Sequence, residues 1–307
     1  MWRQLRVWVR DVVELMLLPA LAVVLPWPVC FRLFGWLARW DWLYRDATNK
    51  AMAQASRGGW LGTNVQEWAR RRRLVTLIDH ADFYLMHTRS AAWLTRYVQV
   101  RGAWQPGNRS ALLCTFHWGA SMWALRHARL AGVQAHFVLA STDKAYFKGR
   151  PVLHAYASAR TAKCSAELGT VILDATSSLR AAFSKVLASQ QQIMAVIDVP
   201  ADTVSVRQTV TLVGRQAQVP NGLLRLAVDQ QLPVVMFLTG IDFATGQRTL
   251  TIQHLGVFDG VDVLAARAFA CLDEAIRCSP PSWHFWSEAP RFFIPDSPAS
   301  PNSASAE

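Results

Sequence analysis

Residues Ala111–Gly132, ALLCTFHWGASMWALRHARLAG, decide the fold. The apolar run Ala111–Phe116 predicts a buried strand, and the pattern that follows predicts a helix over Ala120–Leu130. His117 therefore lies where a strand ends and a helix begins. Ligands of open α/β folds bind beyond the carboxyl ends of the strands, and an imidazole with an ordinary pKa of about 6.5 can accept a proton there near neutral pH. His117 is thus a candidate general base, and a hydrogen-bonded structural histidine is the alternative.

The chain after Gly102 alternates strand and helix patterns, which predicts an α/β fold with a mostly parallel or mixed sheet flanked by helices. Further strands are predicted at Gln134–Ala140, Thr170–Leu173, Gln192–Ile197, Pro233–Leu238 and Thr249–His254, further helices at Phe147–Ala162, Ser177–Ala188, Asn221–Asp229 and Val261–Cys278, and a loop at Asp198–Val219. We expect one α/β domain over residues 61–294, an N-terminal membrane-associating helical region over residues 1–60, and a disordered tail over residues 295–307, where Pro, Ser and Ala show no apolar pattern.

The N-terminal region contains an apolar run, Val12–Phe31, whose single charge is Glu14. Its length is close to the roughly 20 residues that cross a bilayer core, although Pro19, Pro26 and Pro28 interrupt a straight span. A membrane span, a helix in the membrane interface and a cleaved signal peptide all remain open. We favour a retained anchor because no small-residue cleavage site follows the run.

Basic residues and tryptophans are concentrated at the same end of the chain. Residues 1–73 carry twelve basic and five acidic side chains and eight of the fourteen tryptophans. Tryptophan with arginine around apolar segments is typical of a membrane interface. The basic residues flank apolar runs and do not line an extended polar surface, so membrane lipid is the predicted partner and nucleic acid is not. A helix is also predicted over Val65–Arg89, and its run Arg70–Arg73 is either a solvated face or a headgroup contact.

The five cysteines are odd in number and irregularly spaced, which predicts neither a disulfide framework nor a metal site and favours a reducing compartment. No metal and no cofactor are expected. The sequence also lacks a Gly-rich phosphate loop, a GxSxG elbow and an HExxH motif.

Four separated blocks resemble the lipid A late acyltransferase family, within the bacterial lysophospholipid acyltransferase-like superfamily, over roughly residues 105–293. In chain order they are His117-Trp118-Gly119; Arg160 ahead of Gly169 and Val171–Asp174; Asp198, Val213-Gly214, Val219–Ala227 and Pro233–Val235; and Pro280–Trp286 closing on Arg291-Phe292.

This resemblance implies an enzyme at the cytoplasmic face of a bacterial inner membrane. It would move a fatty acyl group from an acyl-carrier-protein or coenzyme A thioester to a hydroxyl of a lipid or glycolipid. His117 would be the catalytic base, because a hydroxyl attacks well only when a positioned base takes its proton. Gly119 and Arg160 would serve the oxyanion or a substrate phosphate, and Asp198 and Gly214 would also bind substrate.

One position departs from the family pattern. The family's first motif carries a carboxylate five residues after its histidine, and this chain has Met122 there. Three outcomes are open: a substitute acid such as Asp198 or Asp143 takes the role; His117 works without a carboxylate; or the protein keeps the fold as a catalytically degenerate lipid-binding or pathway-organising protein.

Overall fold

The structure is a computed structural model that describes residues 2–106, 108–139, 147–170, 173–174, 179–200, 202 and 207–294, without the side chains of 173–174 and 179–180. Asp143 and the predicted tail over residues 295–307 lie outside these residues.

Helices make up the N-terminal part of the chain. They are α1 (Trp2–Val12), continued by a π-helical turn (Val13–Leu17) into α2 (Leu18–Val24), then α3 (Trp27–Leu37), α4 (Arg45–Arg57), α5 (Val65–Thr88) and α6 (Ala91–Tyr97).

Strands and helices alternate in the rest of the chain. The strands are β1 (Val98–Arg101), β2 (Leu112–Thr115), β3 (Ala135–Leu139), β4 (Leu173–Asp174), β5 (Gln192–Val196), β6 (Arg207–Leu212), β7 (Arg215–Pro220), β8 (Val234–Ile241) and β9 (Arg248–Gly256). The helices are α7 (Met122–Leu130), α8 (Pro151–Leu168), α9 (Leu179–Ala188), α10 (Gly222–Asp229) and α11 (Val261–Cys278), and 3-10 turns at Pro280–Ser282 and His284–Arg291 follow.

The predicted α/β class and mixed sheet are confirmed. Seven strands form one sheet in the order β1-β9-β8-β2-β5-β3-β4. Strands β8, β2, β5, β3 and β4 run parallel, whereas β9 pairs antiparallel with β8 and β1 runs parallel to β9. The strand at Ala111–Phe116 therefore lies at the centre of the sheet, as expected for a run that is buried on both faces.

Successive residues of the central strands point to opposite faces, and each face has its own hydrophobic core. In β2, Leu113 packs with α5 and α7 on one face, while Leu112 and Cys114 pack with α10 and α11 on the other. Helices thus cover both faces of the sheet, because each face presents apolar side chains at every second residue.

The predicted loop at Asp198–Val219 is wrong over much of its length. Strands β6 and β7 pair there as an antiparallel hairpin in which Arg207 lies opposite Pro220 and Leu212 opposite Arg215. The two turn residues, Val213 and Gly214, both have positive φ (48° and 77°), as a two-residue type I′ hairpin turn requires. The short strand β1 was not predicted.

The apolar run Val12–Phe31 does not form one straight helix. Pro26 separates α2 from α3, since proline lacks the amide proton that would continue the helix. Within the described residues, no helix has the length and apolar character needed to cross a bilayer.

The N-terminal helices share one hydrophobic core with the α/β part. Leu15 and Phe34 are buried in the same cluster as Leu77 of α5 and Phe237 of β8. The indole of Trp27 donates to the carbonyl oxygen of Gly246, in the loop that connects β8 and β9, at 3.0 Å. Residues 1–60 are therefore packed directly against residues 61–294.

Candidate functional site

Strand register brings His117 next to Asp198. Thr115 of β2 lies opposite Val196 of β5, and the amide of Ile197 donates to the carbonyl oxygen of Thr115 at 3.0 Å. His117 and Asp198 each lie two residues beyond this last pair. Because both strands point in the same direction, their carboxyl ends place the two side chains at one edge of the sheet.

Asp198 holds the backbone and the ring of His117 together. Its Oδ1 accepts the backbone amide of His117 at 2.8 Å and Nδ1 of the ring at 3.0 Å. Its Oδ2 accepts the indole N–H of Trp283 at 2.9 Å. Asp198 is fully buried, whereas the His117 side chain is 33% exposed.

This geometry fixes which ring nitrogen can act as a base. A carboxylate beside Nδ1 only accepts hydrogen bonds, so we assign the proton of neutral His117 to Nδ1. The lone pair then lies on Nε2, and part of the His117 side chain is open to solvent. Asp198 thus occupies the position of the substitute carboxylate that the sequence left open. Its burial fits that role better than direct contact with substrate.

The C-terminal segment, residues 280–292, covers one side of the pair. The ring of Phe285 stacks on the His117 ring with centroids 3.8 Å apart and an interplanar angle of 16°. The amide of His284 donates to the carbonyl oxygen of His117 at 2.8 Å. This stacking fixes the ring plane of His117, so the segment is part of the site.

Arg72 of α5 fastens this segment to the helical layer. Its buried guanidinium donates to the carbonyl oxygens of Pro281 (3.1 Å), Trp283 (2.6 Å) and His284 (2.9 Å). Burial lowers the pKa of Arg72 to about 10, which leaves the guanidinium charged at neutral pH. In the sequence, Arg72 stands out only as part of the basic run Arg70–Arg73, and Phe285 only as part of the block Pro280–Trp286. The predicted solvated face or headgroup contact is wrong for Arg72, which is buried. Its role at the site could not be predicted, because only the fold brings these separated residues to His117.

Gly119 occupies a place that requires glycine. It has a φ of +58°, and a Cβ there would lie 2.5 Å from the carbonyl oxygen of Thr239. Its amide donates to the carbonyl oxygen of Ser282 at 3.0 Å, and its carbonyl oxygen accepts Nε2 of His284 at 2.6 Å. Both backbone groups of Gly119 are therefore engaged within the protein, so its predicted oxyanion role stays a prediction.

Burial and the nearby charge of Arg72 lower the pKa of His284 to about 4. His284 is consequently neutral at pH 7 and donates its Nε2 proton to Gly119. It supports the turn that carries His117.

Arg160 of α8 pairs with Asp79 of α5. Its guanidinium donates to Asp79 Oδ1 at 2.7 Å and to the hydroxyl of Tyr156 at 3.3 Å. Burial raises the pKa of Asp79, but the charge of Arg160 and the hydrogen bond that Arg160 donates outweigh it and leave the pKa below its usual value. Arg160 lies within electrostatic range of His284 and so belongs to the surroundings of the site. Part of its donor capacity is already used by Asp79.

Gly214 lies in the turn of the β6–β7 hairpin. The neighbouring amide of Val213 donates to Asp273 of α11 at 2.6 Å. The turn therefore packs on α11, and the described contacts do not bring Gly214 to His117 or Asp198. Its predicted substrate-binding role stays a prediction.

Met122, at the position of the family's motif carboxylate, is 2% exposed and packs in the hydrophobic core with Trp123 and Leu125. Among the described residues, no group of His, Cys, Asp and Glu has an arrangement that could hold a metal ion.

No protein-family profile matches this chain, and no curated protein matches it significantly.

Proposed function

We propose that this protein is a membrane-associated acyltransferase that moves a fatty acyl group from an acyl-carrier-protein or coenzyme A thioester to a hydroxyl of a lipid or glycolipid, at the cytoplasmic face of a bacterial inner membrane. The observation that carries the proposal is the His117–Asp198 pair at the carboxyl edge of the two central strands. The residue resemblance to the lipid A late acyltransferase family supplies the reaction class.

The proposed reaction uses Nε2 of His117 as the base. It takes the proton of the acceptor hydroxyl while the oxygen attacks the thioester carbonyl carbon. The tetrahedral intermediate collapses as the carbon–sulfur bond breaks, and the imidazolium returns the proton to the departing thiolate. Asp198 stabilises the imidazolium between these two proton transfers.

Helix α7 supports the negative charge of the intermediate. It begins at Met122, a few residues after His117, and the amides of Met122 and Trp123 have no partner within the helix, whereas the amide of Ala124 donates to the carbonyl oxygen of Ser121. The positive end of its dipole therefore faces the edge of the sheet where the oxyanion would form.

The surface of the N-terminal helices supports association with a membrane. In the described part of the chain, most of the exposed large apolar side chains fall within residues 2–42. They are Trp2, Leu5, Trp8, Val9, Leu17, Val24, Val29, Trp36, Trp40 and Trp42. Exposed side chains of this composition, interspersed with arginines, are typical of proteins that bind at the headgroup level of a bilayer.

The second candidate function is a catalytically degenerate, lipid-binding or pathway-organising protein. Two observations favour it: the amide of Gly119 is already hydrogen-bonded to the carbonyl oxygen of Ser282, and the guanidinium of Arg160 is already paired with the carboxylate of Asp79. These are the two groups for which the sequence predicted oxyanion or substrate contacts.

The two candidates differ in turnover. The purified chain in detergent is incubated with a bacterial membrane lipid extract and a donor thioester whose acyl group is radiolabelled, bound either to acyl carrier protein or to coenzyme A. The label in the lipid fraction is then measured. The enzyme proposal predicts label transfer that rises with protein concentration from at least one donor. Lipid binding without transfer from either donor would contradict it and support the degenerate protein.

A further inference from the structure

A charged cleft of about 810 Å³ lies between α4, α5 and the turn over residues 38–44. Its charged lining residues are the arginines Arg39, Arg45, Arg70 and Arg73 and the acids Asp41 and Glu67. Its basic residues therefore outnumber its acidic residues by two.

Both acids are already neutralised by arginine. Glu67 accepts Nε and NH2 of Arg70 at 2.6 and 2.7 Å, and this pairing lowers the pKa of Glu67 to about 2. Asp41 accepts NH2 of Arg73 at 2.7 Å. The excess charge of the cleft therefore lies on Arg39 and Arg45.

Several guanidinium N–H groups of the cleft have no partner among the described residues. Arg39 is exposed and makes no side-chain hydrogen bond there, and Arg45 donates only its Nε, to the carbonyl oxygen of Asp41 at 3.2 Å. The Arg73 side chain is only 5% exposed, and its buried Nε has no hydrogen-bond partner among the described residues. Planar guanidinium groups with free donors match the geometry of a phosphate group.

Three exposed tryptophans are close in sequence to the cleft residues Arg39, Asp41 and Arg45. Trp36, Trp40 and Trp42 alternate with the cleft residues along the chain and are 48%, 38% and 37% exposed. Their rings are in contact, with centroids 4.4 Å apart for Trp36 and Trp40 and 6.0 Å apart for Trp40 and Trp42. Indole rings settle at the headgroup level of bilayers, which would set the cleft at the depth of lipid phosphates.

We propose that this cleft binds the phosphate of an anionic phospholipid headgroup, with Arg39 and Arg45 as its principal ligands. The site is separate from His117 and holds the protein against the bilayer. The proposal rests on the membrane-surface part of the proposed function and is independent of acyl transfer. The adjacent tryptophans favour a lipid over a free phosphate ester as the source of the phosphate.

The test is co-sedimentation of the full chain with phosphatidylcholine vesicles that contain or lack phosphatidylglycerol. The variant is Arg39→Gln/Arg45→Gln, and the matched control is Arg225→Gln/Arg267→Gln, which removes the same charge from α10 and α11 outside the cleft. At about 1 kcal/mol per basic residue near an anionic surface, we expect the cleft variant to bind phosphatidylglycerol vesicles about 30-fold more weakly. The control should change binding by less than about threefold.

Equal losses in the two double variants, or wild-type binding that does not depend on phosphatidylglycerol, would overturn the cleft proposal. Absence of binding to any vesicle would overturn both the cleft and the membrane association. A second experiment adds soluble glycerol phosphate to the vesicle-bound protein as a competitor. If glycerol phosphate displaces the protein when its concentration equals that of the phosphatidylglycerol, the ligand is a free phosphate ester and the lipid assignment is wrong. His117→Ala should bind vesicles like the wild type, so a failure of acyl transfer would leave this result unaffected.

Discussion

Replacing Asp198 by asparagine changes the chemistry of the site and almost none of its volume. Asp198 accepts three N–H donors, from the His117 backbone, His117 Nδ1 and Trp283 Nε1, at 2.8 to 3.0 Å. Asparagine offers one acceptor oxygen and one NH2 group. In either orientation, its NH2 group faces at least one N–H donor.

The expected losses follow from these contacts. One charge-assisted hydrogen bond in a buried position is worth about 1.5–3 kcal/mol, and we expect the free energy of unfolding of Asp198→Asn to fall by that amount. If the NH2 group faces His117, it donates to Nδ1 and moves the ring proton to Nε2, which removes the base. The equivalent change in serine proteases costs about 10⁴-fold in rate, and we expect a loss of 10²- to 10⁴-fold in acyl transfer, on the order of that case.

Two assays separate the effects on stability and on proton position. Urea unfolding gives the free energy change, and nitrogen-15 NMR of the histidine ring reports which nitrogen of His117 carries the proton. Asp229→Asn, at an exposed position of α10, is the matched control and should resemble the wild type in both. A folded Asp198→Asn protein with the Nδ1–H form of His117 intact and transfer within threefold of wild type would refute the role of Asp198.

Other variants test the packing around the site. Gly119→Ala should lower the free energy of unfolding, measured in urea, by about 1–3 kcal/mol, because the new Cβ meets the Thr239 carbonyl oxygen and φ is positive. The control Gly222→Ala has open space around it and should be neutral or slightly stabilising. Equal changes in the free energy of unfolding for the two variants would contradict this. Met122→Glu should not speed up acyl transfer, and a faster enzyme would contradict this. The variant should lower the free energy of unfolding in urea by about 3 kcal/mol or more, because it buries an unpaired carboxylate. Burial raises the pKa of Glu14 to about 7, so the native state holds its proton longer than the unfolded chain, and the free energy of unfolding should fall between about pH 4.5 and 7. Glu14→Gln should flatten this fall by up to about 3 kcal/mol in unfolding curves measured across that range, and an unchanged pH profile would contradict the burial argument.

The centre of the fold was predictable because its signals are local. The apolar run at Ala111–Phe116 can be buried on both faces only at the centre of a parallel sheet, and Gly119 marks the turn into α7. The boundaries of α11 were predicted from a sustained helical pattern at Val261–Cys278. The β6–β7 hairpin was missed because Val213, a β-branched residue, adopts a positive φ that its residue type does not indicate.

The site itself was only partly predictable. His117 is identified by its place at the end of a strand, but its contact with Asp198 depends on the register of β2 against β5, which joins residues about eighty positions apart. The same limit applies to the apolar run at Val12–Phe31. Hydrophobicity alone does not distinguish a side chain that faces lipid from one that packs on α5, as Leu15 does.

The proposed reaction depends on the imidazole of His117 taking the proton of an acceptor hydroxyl. This is tested by the rate of acyl transfer to lipid by His117→Ala, compared at equal protein concentration with wild type and with the control His254→Ala. In the wild-type protein, His254 hydrogen-bonds the Ala103 carbonyl oxygen, away from the His117–Asp198 pair. Loss of a general base predicts a fall of about 10²- to 10⁴-fold for His117→Ala and little change for His254→Ala. Transfer at the wild-type rate by a folded His117→Ala protein would show that His117 is not the base.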